Sequence, residues 1–309
     1  TGAAVTRGVR IGVHVLNRQG ASASNPFTIK SADPSNKAHL AGSGSTSQDE
    51  MAILVQNSPG VVIDGFHFDH FRGNPAFDSG SFAIIDFTSS PDGKFINNTI
   101  IDPDADVQAD QGAHVTFGNS ARGVIENNYI ESGMPIIIVI GNSSSCYLAP
   151  TGVGGISTSC QNDGLIKNNV VKRMRSMPFD TSKPAQSQLF GVAIKRTRGV
   201  KIIGNYVVDL SPRGYNAYTA GMYLRDSEIS EVRGNIIQDF HPGGSFLWPQ
   251  DTCDNRTPTT PTSWCNERAI ITNNVFHQTV SQTAGAMALK CSSCTIRNNI
   301  IKKDTGSGS

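Results

Sequence analysis

The sequence has little charge of either sign and no long hydrophobic run. Of its 309 residues 17% are charged, and 26 Lys and Arg against 25 Asp and Glu leave a formal net charge of +1. Nucleic acid and anionic membranes are bound through a concentrated basic field, so this balance argues against both partners. The longest apolar run, Met134 to Ile140, is far shorter than the roughly 18 residues of a membrane span. We therefore expect no membrane span.

Cysteines are few, and they fall in three close pairs. Each pair lies in loops rich in Gly, Pro, Ser and Thr: Cys146 with Cys160, Cys253 with Cys265, and Cys291 with Cys294. Such spacing predicts local disulfides and an oxidising location, so we expect a secreted, extracellular or cell-surface protein. A metal half-site or redox motif is the alternative at Cys291, but neither a second pair at zinc-site spacing nor a helix start for a redox thiol is visible.

What the sequence does contain is an internal repeat. Short apolar segments precede and follow a pair made of Asn or Gly and then Asn, as in Ile96 to Ile101. Eight copies are separated by 33, 30, 41, 36, 30, 39 and 25 residues, with these marks: Gly65, Asn98, Asn128, Asn169, Asn205, Asn235, Asn274 and Asn299. Eight ordered copies argue against chance Asn-Asn pairs in an ordinary β-sandwich.

Each copy predicts one coil of a solenoid. Asn tolerates the left-handed backbone of a tight bend, and its amide can hydrogen-bond to the next coil, ~4.8 Å away. The flanking Val, Ile and Phe residues are typical of strands in a buried parallel sheet. The sequence thus predicts an all-β, single-stranded, right-handed parallel β-helix with an asparagine ladder. We expect one domain over 1–309, with N-terminal coils at 1–60, repeat coils at 61–302 and a tail at 303–309.

These residues resemble the parallel β-helix repeats of the pectin-lyase-like superfamily, from Val9 to Lys302. The opening coils are similar to those of chondroitinase-B-like and alginate-lyase-like proteins, on four segments: Asn25 to Ala32, Ala38 to Gly42, Ile53 to Gln56 and Val61 to Phe68. The resemblance implies a Lys base and an Arg on adjacent coils, beside an Asn-Glu-Glu calcium site. The Lys and Arg are present, but no calcium triad of that kind is found.

A second branch of the superfamily, the polygalacturonase type, fits less well. Its Arg-Ile-Lys segment is only partly matched by Ala193-Ile194-Lys195, and the sequence has no Asp-Asp pair and no His-Gly pair. Sugar hydrolysis needs two carboxylates that flank the bond, so this departure disfavours a glycoside hydrolase.

Basic residues recur in one column of the predicted coils. Lys195, Arg225 and Lys290 each follow an apolar segment whose glycine lies 14 residues before an asparagine of the repeat. Lys195 and Arg225 belong to successive coils, so we expect their Cα atoms ~4.8 Å apart. Arg225 could neutralise a uronate carboxylate, while Lys195, its pKa lowered by that neighbour, could abstract the α-proton in β-elimination. A solvated polar row is the alternative.

Other candidate residues surround that column. Arg198 and Lys290 extend the basic surface, His114 could act as an acid or base, and Tyr223 could stack on a sugar ring. The carboxylates of Asp104, Asp106 and Asp110 alternate along one run, and Ca²⁺, which takes many oxygen ligands, is the candidate ion. The alternatives are a structural histidine, a core tyrosine and a solvated acidic turn.

The sequence therefore predicts a secreted β-helix protein that acts on or binds an extracellular polysaccharide, by β-elimination of a uronate-containing glycan as a polysaccharide lyase. The alternative is a non-catalytic structural or adhesive β-helix, in a surface or fibre component. Parallel coils have open edges at both ends of a stack, so such a protein could associate with itself end to end.

Overall fold

The computed structural model describes most of the internal repeat. It covers residues 9–44, 49–71, 83–102, 113–132, 136–141, 163–174, 188–195, 197–210, 218–225, 227, 229–240, 245–250, 268–278 and 293–303. All regular elements in these residues are β-strands. Within the same ranges, no helix has the length and apolar character needed to cross a membrane.

In the ranges just given, twenty-six strands, numbered in chain order, form three sheets. Sheet A contains, in spatial order, β1 (Val9–Leu16), β4 (Asp49–Gln56), β7 (Ala83–Thr88), β10 (Ala113–Gly118), β13 (Ile136–Gly141), β16 (Gln188–Lys195), β19 (Tyr218–Arg225) and β22 (Ser245–Gln250). Sheet B contains β2 (Phe27–Lys30), β5 (Val61–Asp64), β8 (Lys94–Ile96), β11 (Val124–Glu126), β14 (Leu165–Lys167), β17 (Lys201–Ile203), β20 (Glu231–Arg233), β23 (Ile270–Thr272) and β25 (Thr295–Arg297).

Sheet C completes each coil. Its strands run, from the first coil to the last, β3 (His39–Ala41), β6 (His67–Asp69), β9 (Thr99–Asp102), β12 (Tyr129–Ser132), β15 (Val170–Met174), β18 (Tyr206–Leu210), β21 (Ile236–Phe240), β24 (Val275–Gln278) and β26 (Ile300–Lys303). Neighbouring strands in all three sheets are parallel, as in the pairs of β16 with β19 and β17 with β20.

The chain therefore visits sheets A, B and C in turn and then starts the next coil. This order confirms the predicted right-handed parallel β-helix, the hand that parallel crossovers almost always take. The described residues form nine levels, one more than the eight marked copies, because the first coil of β1, β2 and β3 carries no copy of the motif. Strand β26 ends at Lys303, one residue inside the predicted tail, and the assignment of one domain to 1–309 stays a prediction.

The core fills the space between the three sheets and consists of the apolar residues that face inward from the strands. Phe87 and Phe117, both fully buried, stack at 4.3 Å between ring centroids and 9° between planes. A Cβ at Gly123 would lie 2.4 Å from Cδ1 of Phe117, and one at Gly93 would lie 2.6 Å from Cδ1 of Phe87. Glycine at these two places lets the backbone close over the stacked rings.

The asparagine ladder is confirmed. The sequence assigned the left-handed bend and the ladder hydrogen bonds to one residue, but two adjacent residues carry these two roles. The first residue of each pair adopts the left-handed backbone, for example Asn168 at φ 53° and Gly204 at φ 65°. The second is the buried ladder residue, for example Asn169 at 0% exposure. Asp64 pairs with Ile96, so Gly65 aligns with Asn97 and not with Asn98. Phe66 stands in the first ladder position, where its N–H donates to Asn98 Oδ1 at 2.9 Å.

The ladder side chains from Asn128 to Asn274 bond to the coils on both sides. Asn169 Nδ2 donates to the Ile125 carbonyl at 2.9 Å and to Asn205 Oδ1 at 3.0 Å. Its Oδ1 accepts from the backbone N and from Nδ2 of Asn128, at 3.0 Å and 2.9 Å. An interior amide with all of these bonds joins three consecutive coils and fixes their alignment.

Asn169→Ala is expected to lower the free energy of unfolding by about 3 kcal/mol, because buried polar groups of Ile125 and Asn128 lose their partners. The matched control is Asn168→Gly, which keeps the left-handed backbone at an exposed position and should change stability by less than about 1 kcal/mol. Chemical denaturation of both variants measures the difference. Equal effects would show that the ladder amide contributes nothing specific.

Candidate active site on sheet A

Lys195 and Arg225 lie side by side at the ends of adjacent strands. Each is the last residue of its strand, and the two are direct partners in the register of β16 with β19. In a parallel sheet this places their Cα atoms about 4.8 Å apart, as the sequence predicted. The side chain of Lys195 is half-buried, whereas for Arg225 the structure describes the backbone. Two cationic residues therefore occupy neighbouring positions on the sheet, one strand spacing apart.

The register also defines what flanks this pair. Gln250 of β22 is the partner of Arg225 on one side, and Gly141 of β13 is the partner of Lys195 on the other. Gly141 is followed by Gly118 in the next strand of the same column. The two positions that precede Lys195 in this column therefore carry no side chain.

A stacked aromatic pair lies beside Lys195 on the same face of sheet A. Phe190 and Tyr223 stack at 4.2 Å with 2° between the rings, and they are 1% and 2% exposed. Lys195 Nζ lies 5.9 Å from the centroid of the Tyr223 ring, within the range of a cation–π contact. Tyr223 was predicted to stack on a sugar, but its buried ring presents no open face for that contact. It lies beside Lys195 instead.

The chain departs from strict strand alternation at Gly191, and this brings Phe190 to Tyr223. A Cβ at Gly191 would lie 2.5 Å from Cγ1 of the core residue Val207, so Gly191 faces inward. Val192, the next residue, is also in the core cluster. Phe190 consequently lies on the outer side with Tyr223, a position that two-residue periodicity alone does not assign.

A second polar ladder fixes the bend immediately after the candidate pair. Thr197 Oγ1 donates to Ser227 Oγ at 3.1 Å, and both residues are fully buried. The same position two residues after a sheet A strand is held by Ser58, Ser90 and Ser120, each bonded to an adjacent coil. Sequence reasoning missed this row, although its signal is plain: a Ser or Thr two residues beyond the strand end. The ladder holds Lys195 and Arg225 in register.

Two other predicted site residues lie apart from this pair. Arg198 occupies the bend between sheets A and B, where its carbonyl accepts from Asp163 N at 3.0 Å. His114 belongs to β10, two strands before Lys195 and nearer the start of its strand. Its Cα should be about 16 Å from that of Lys195, from strand and residue spacings. His114 therefore does not share one substrate unit with Lys195.

The remaining predictions fall mostly outside the described residues. These are the basic residue Lys290, the proposed calcium ligands Asp104, Asp106 and Asp110, and the cysteines Cys146, Cys160, Cys253, Cys265 and Cys291. Cys294 is described and is disulfide-bonded. Its pairing with Cys291, like the other two pairings and the calcium site, stays a prediction.

A separate polar cluster lies on sheet C, at the start of the β-helix. His39 Nε2 is 2.8 Å from Asp69 Oδ2, and the ring centroids of His39 and His67 are 4.9 Å apart. Burial lowers the pKa of His67, and the neighbouring His39 lowers it further. Burial raises the pKa of Asp69, but hydrogen bonds from His70 and His39 outweigh it and hold the pKa below its ordinary value. The sequence did not indicate this cluster.

Comparison with known proteins yields solved β-helix structures at low similarity. No family model matches the chain. No curated protein matches it either. A PL6-family alginate lyase is 12% identical with a TM-score of 0.41, over 98% of this chain and 49% of that one, so this chain spans about half of that enzyme. A second PL6 alginate lyase, solved with a trisaccharide, is 12% identical with a TM-score of 0.40, over 96% and 75% of the two chains.

An epimerase is also among the similar structures. The A-module of a mannuronan C-5 epimerase from Azotobacter vinelandii is 12% identical with a TM-score of 0.30, over 96% of this chain and 87% of that one. At this level the similarity concerns the parallel β-helix and not the chemistry.

Asp86 is a partly buried carboxylate on the same outer face of sheet A, three coils before Lys195. Its Oδ1 accepts from Thr116 Oγ1 at 2.6 Å, and its Oδ2 accepts from Thr88 Oγ1 at 3.0 Å. Burial raises the pKa of Asp86, and these two hydrogen bonds offset only part of that effect. The folded protein therefore binds this proton more tightly than the unfolded chain does. Stability falls as the pH rises from the ordinary pKa of Asp to the raised one.

Asp86→Asn is expected to raise the melting temperature at pH 7 more than at pH 4, because the variant carries no buried charge. Thermal unfolding between pH 4 and pH 8 measures the difference. Thr116→Val is the companion variant: it keeps the carboxylate, removes a hydrogen bond to it, and should destabilise the protein most at neutral pH. A difference between Asp86→Asn and the unaltered protein that does not change with pH would contradict this account.

Proposed function

We propose that the protein cleaves a uronate-containing extracellular polysaccharide by β-elimination on the outer face of sheet A. The observation that carries the proposal is the direct pairing of Lys195 with Arg225 at adjacent strand ends. The two residues are 30 apart in the sequence, and the fold makes them neighbours. Within the described residues of sheet A, no other two basic residues are direct partners in the register.

The chemistry requires one base and one group that neutralises a carboxylate. Arg225 would bind the uronate carboxylate and stabilise the negative charge that spreads onto it when the α-proton leaves. Lys195 would accept that proton from C5. The electron pair then forms the C4–C5 double bond, the C4–O bond breaks, and a proton reaches the departing oxygen. The product carries an unsaturated sugar at its new non-reducing end.

The surface around the pair suits an acidic polymer. Gly141 and Gly118 carry no side chains and would provide room for neighbouring sugar units. The stacked rings of Tyr223 and Phe190 lie beside Lys195 and would limit the freedom of the base before substrate arrives. Arg198, Lys290 and His114 remain candidate contacts for more distant sugar units. Ca²⁺ bound by Asp104, Asp106 and Asp110 is a further part of the proposal, as is secretion with disulfide-closed loops.

Lyase activity is tested by incubating the protein with alginate, chondroitin and pectate, each with and without Ca²⁺, while following the ultraviolet absorbance of the unsaturated product. Alginate comes first because it is named for several of the similar structures. Lys195→Ala should reduce kcat by at least about 100-fold, the usual contribution of a positioned base. Lys201→Ala is the matched control, since Lys201 is an exposed lysine of the same coil on sheet B, and it should retain full activity.

Arg225→Lys keeps the charge but loses the bidentate geometry, so it should lose less activity than Arg225→Ala. Equal activity of Lys195→Ala and the unaltered protein would overturn the assignment of the base. Absence of activity on all three glycans, together with large particles in light scattering, would favour the non-catalytic, self-associating β-helix instead.

A further inference from the structure

We propose that His39, His67 and Asp69 form a Zn²⁺ site that clamps the first coil of the β-helix to the second. One ligand atom from each residue lies within 4.8 Å of the other two. In the part of the chain that the structure describes, this is the one group of metal-ligating side chains so arranged. The site is on sheet C, four coils from Lys195, and it is independent of the proposed lyase reaction.

The register of two short strands creates the cluster. His39 of β3 is the direct partner of His67 in β6, and Ala41 is the partner of Asp69. Asp69 lies two residues beyond His67, so strand alternation places both on the same face. The imidazoles of His39 and His67 therefore lie one strand spacing apart, with the carboxylate of Asp69 on the same face. The fold brings His39 to the other two residues from the preceding coil.

The distances suit a small metal ion. Ligand atoms around tetrahedral Zn²⁺, at about 2.0–2.2 Å from the metal, are separated from one another by about 3.4 Å. The observed separations, from 2.8 Å between His39 Nε2 and Asp69 Oδ2 to the 4.8 Å limit, lie on both sides of that value. His39 is 52% exposed in its side chain, so a small rotation can bring it to the required position.

A second, independent observation points to a ligand. His67 Nε2 is buried and has no hydrogen-bond partner in the structure. A buried polar nitrogen without a partner is unfavourable, and coordination of a metal ion would satisfy it. Lys37, whose charge acts on His67, is bonded elsewhere, since its Nζ donates to Asn97 O at 2.6 Å and to Thr99 Oγ1 at 2.9 Å.

The neighbouring residue supports the carboxylate. His70 Nδ1 lies 3.0 Å from Asp69 Oδ1, the oxygen that His39 does not contact. Outer contacts of this kind orient metal-binding carboxylates. Two imidazoles and one carboxylate suit Zn²⁺ and related transition metals, whereas Ca²⁺ prefers oxygen ligands alone. The site is thus chemically distinct from the calcium site expected at Asp104, Asp106 and Asp110.

The experiment uses the full chain without a histidine tag, treated with a chelator and then dialysed. Titration calorimetry with ZnCl₂ alone should show one high-affinity equivalent, and CoCl₂ should give the visible absorption of tetrahedral Co²⁺. CaCl₂ should give neither signal. Bound Zn²⁺ should also raise the melting temperature, because it binds the folded state only.

His39→Ala is the variant of choice, since this exposed side chain can be removed without disturbing the core. It should weaken Zn²⁺ binding at least tenfold and abolish the thermal shift, and Asp69→Asn should do the same. His14→Ala, an exposed histidine on β1 of the same coil, should leave both unchanged. Absence of stoichiometric Zn²⁺ binding to the unaltered protein, or full binding by folded His39→Ala, would overturn the proposal.

Discussion

Each buried asparagine of the ladder bonds to the coil before it and to the coil after it, and the alignment of the whole stack depends on this contact. Asn169 reaches Ile125 and Asn128 on one side and Asn205 on the other. A shift of one residue in any coil would leave these buried amides without partners. Such a shift would also turn core residues outward, because strand side chains alternate between faces. The ladder therefore sets the register that all three sheets share.

A fixed register turns sequence spacing into surface pattern. Residues that occupy equal positions in successive coils form rows parallel to the axis, about 4.8 Å apart. Lys195 and Arg225 meet for this reason, and the Thr197 to Ser227 bond holds the same two coils together just beyond them. The candidate active site is thus a consequence of stacking, with the side chains carried on rigid strands and not on loops.

The same stacking produces two kinds of site on two faces. On sheet A, Lys195 and Arg225 follow two glycines in one row along the axis, and the proposed substrate there is a polymer. On sheet C, His39, His67 and Asp69 converge within one pair of strands, which suits a single ion. The first site would act on substrate, and the second would secure the first coil, whose strand β1 still exposes Val9 and Ile11.

The sequence by itself determined the β-helix, the ladder and the pairing of Lys195 with Arg225, because each depends on local chemistry repeated at a regular period. An Asn or Gly in a left-handed bend and an amide beside it are readable in any one coil. Only the tertiary structure decided that Gly65 aligns with Asn97, that Tyr223 is buried against Phe190, and that His114 is remote from Lys195. These depend on irregular strand alternation at Gly191 and on unequal coil lengths. The histidine cluster also required the fold, since its first coil carries no repeat from which to count.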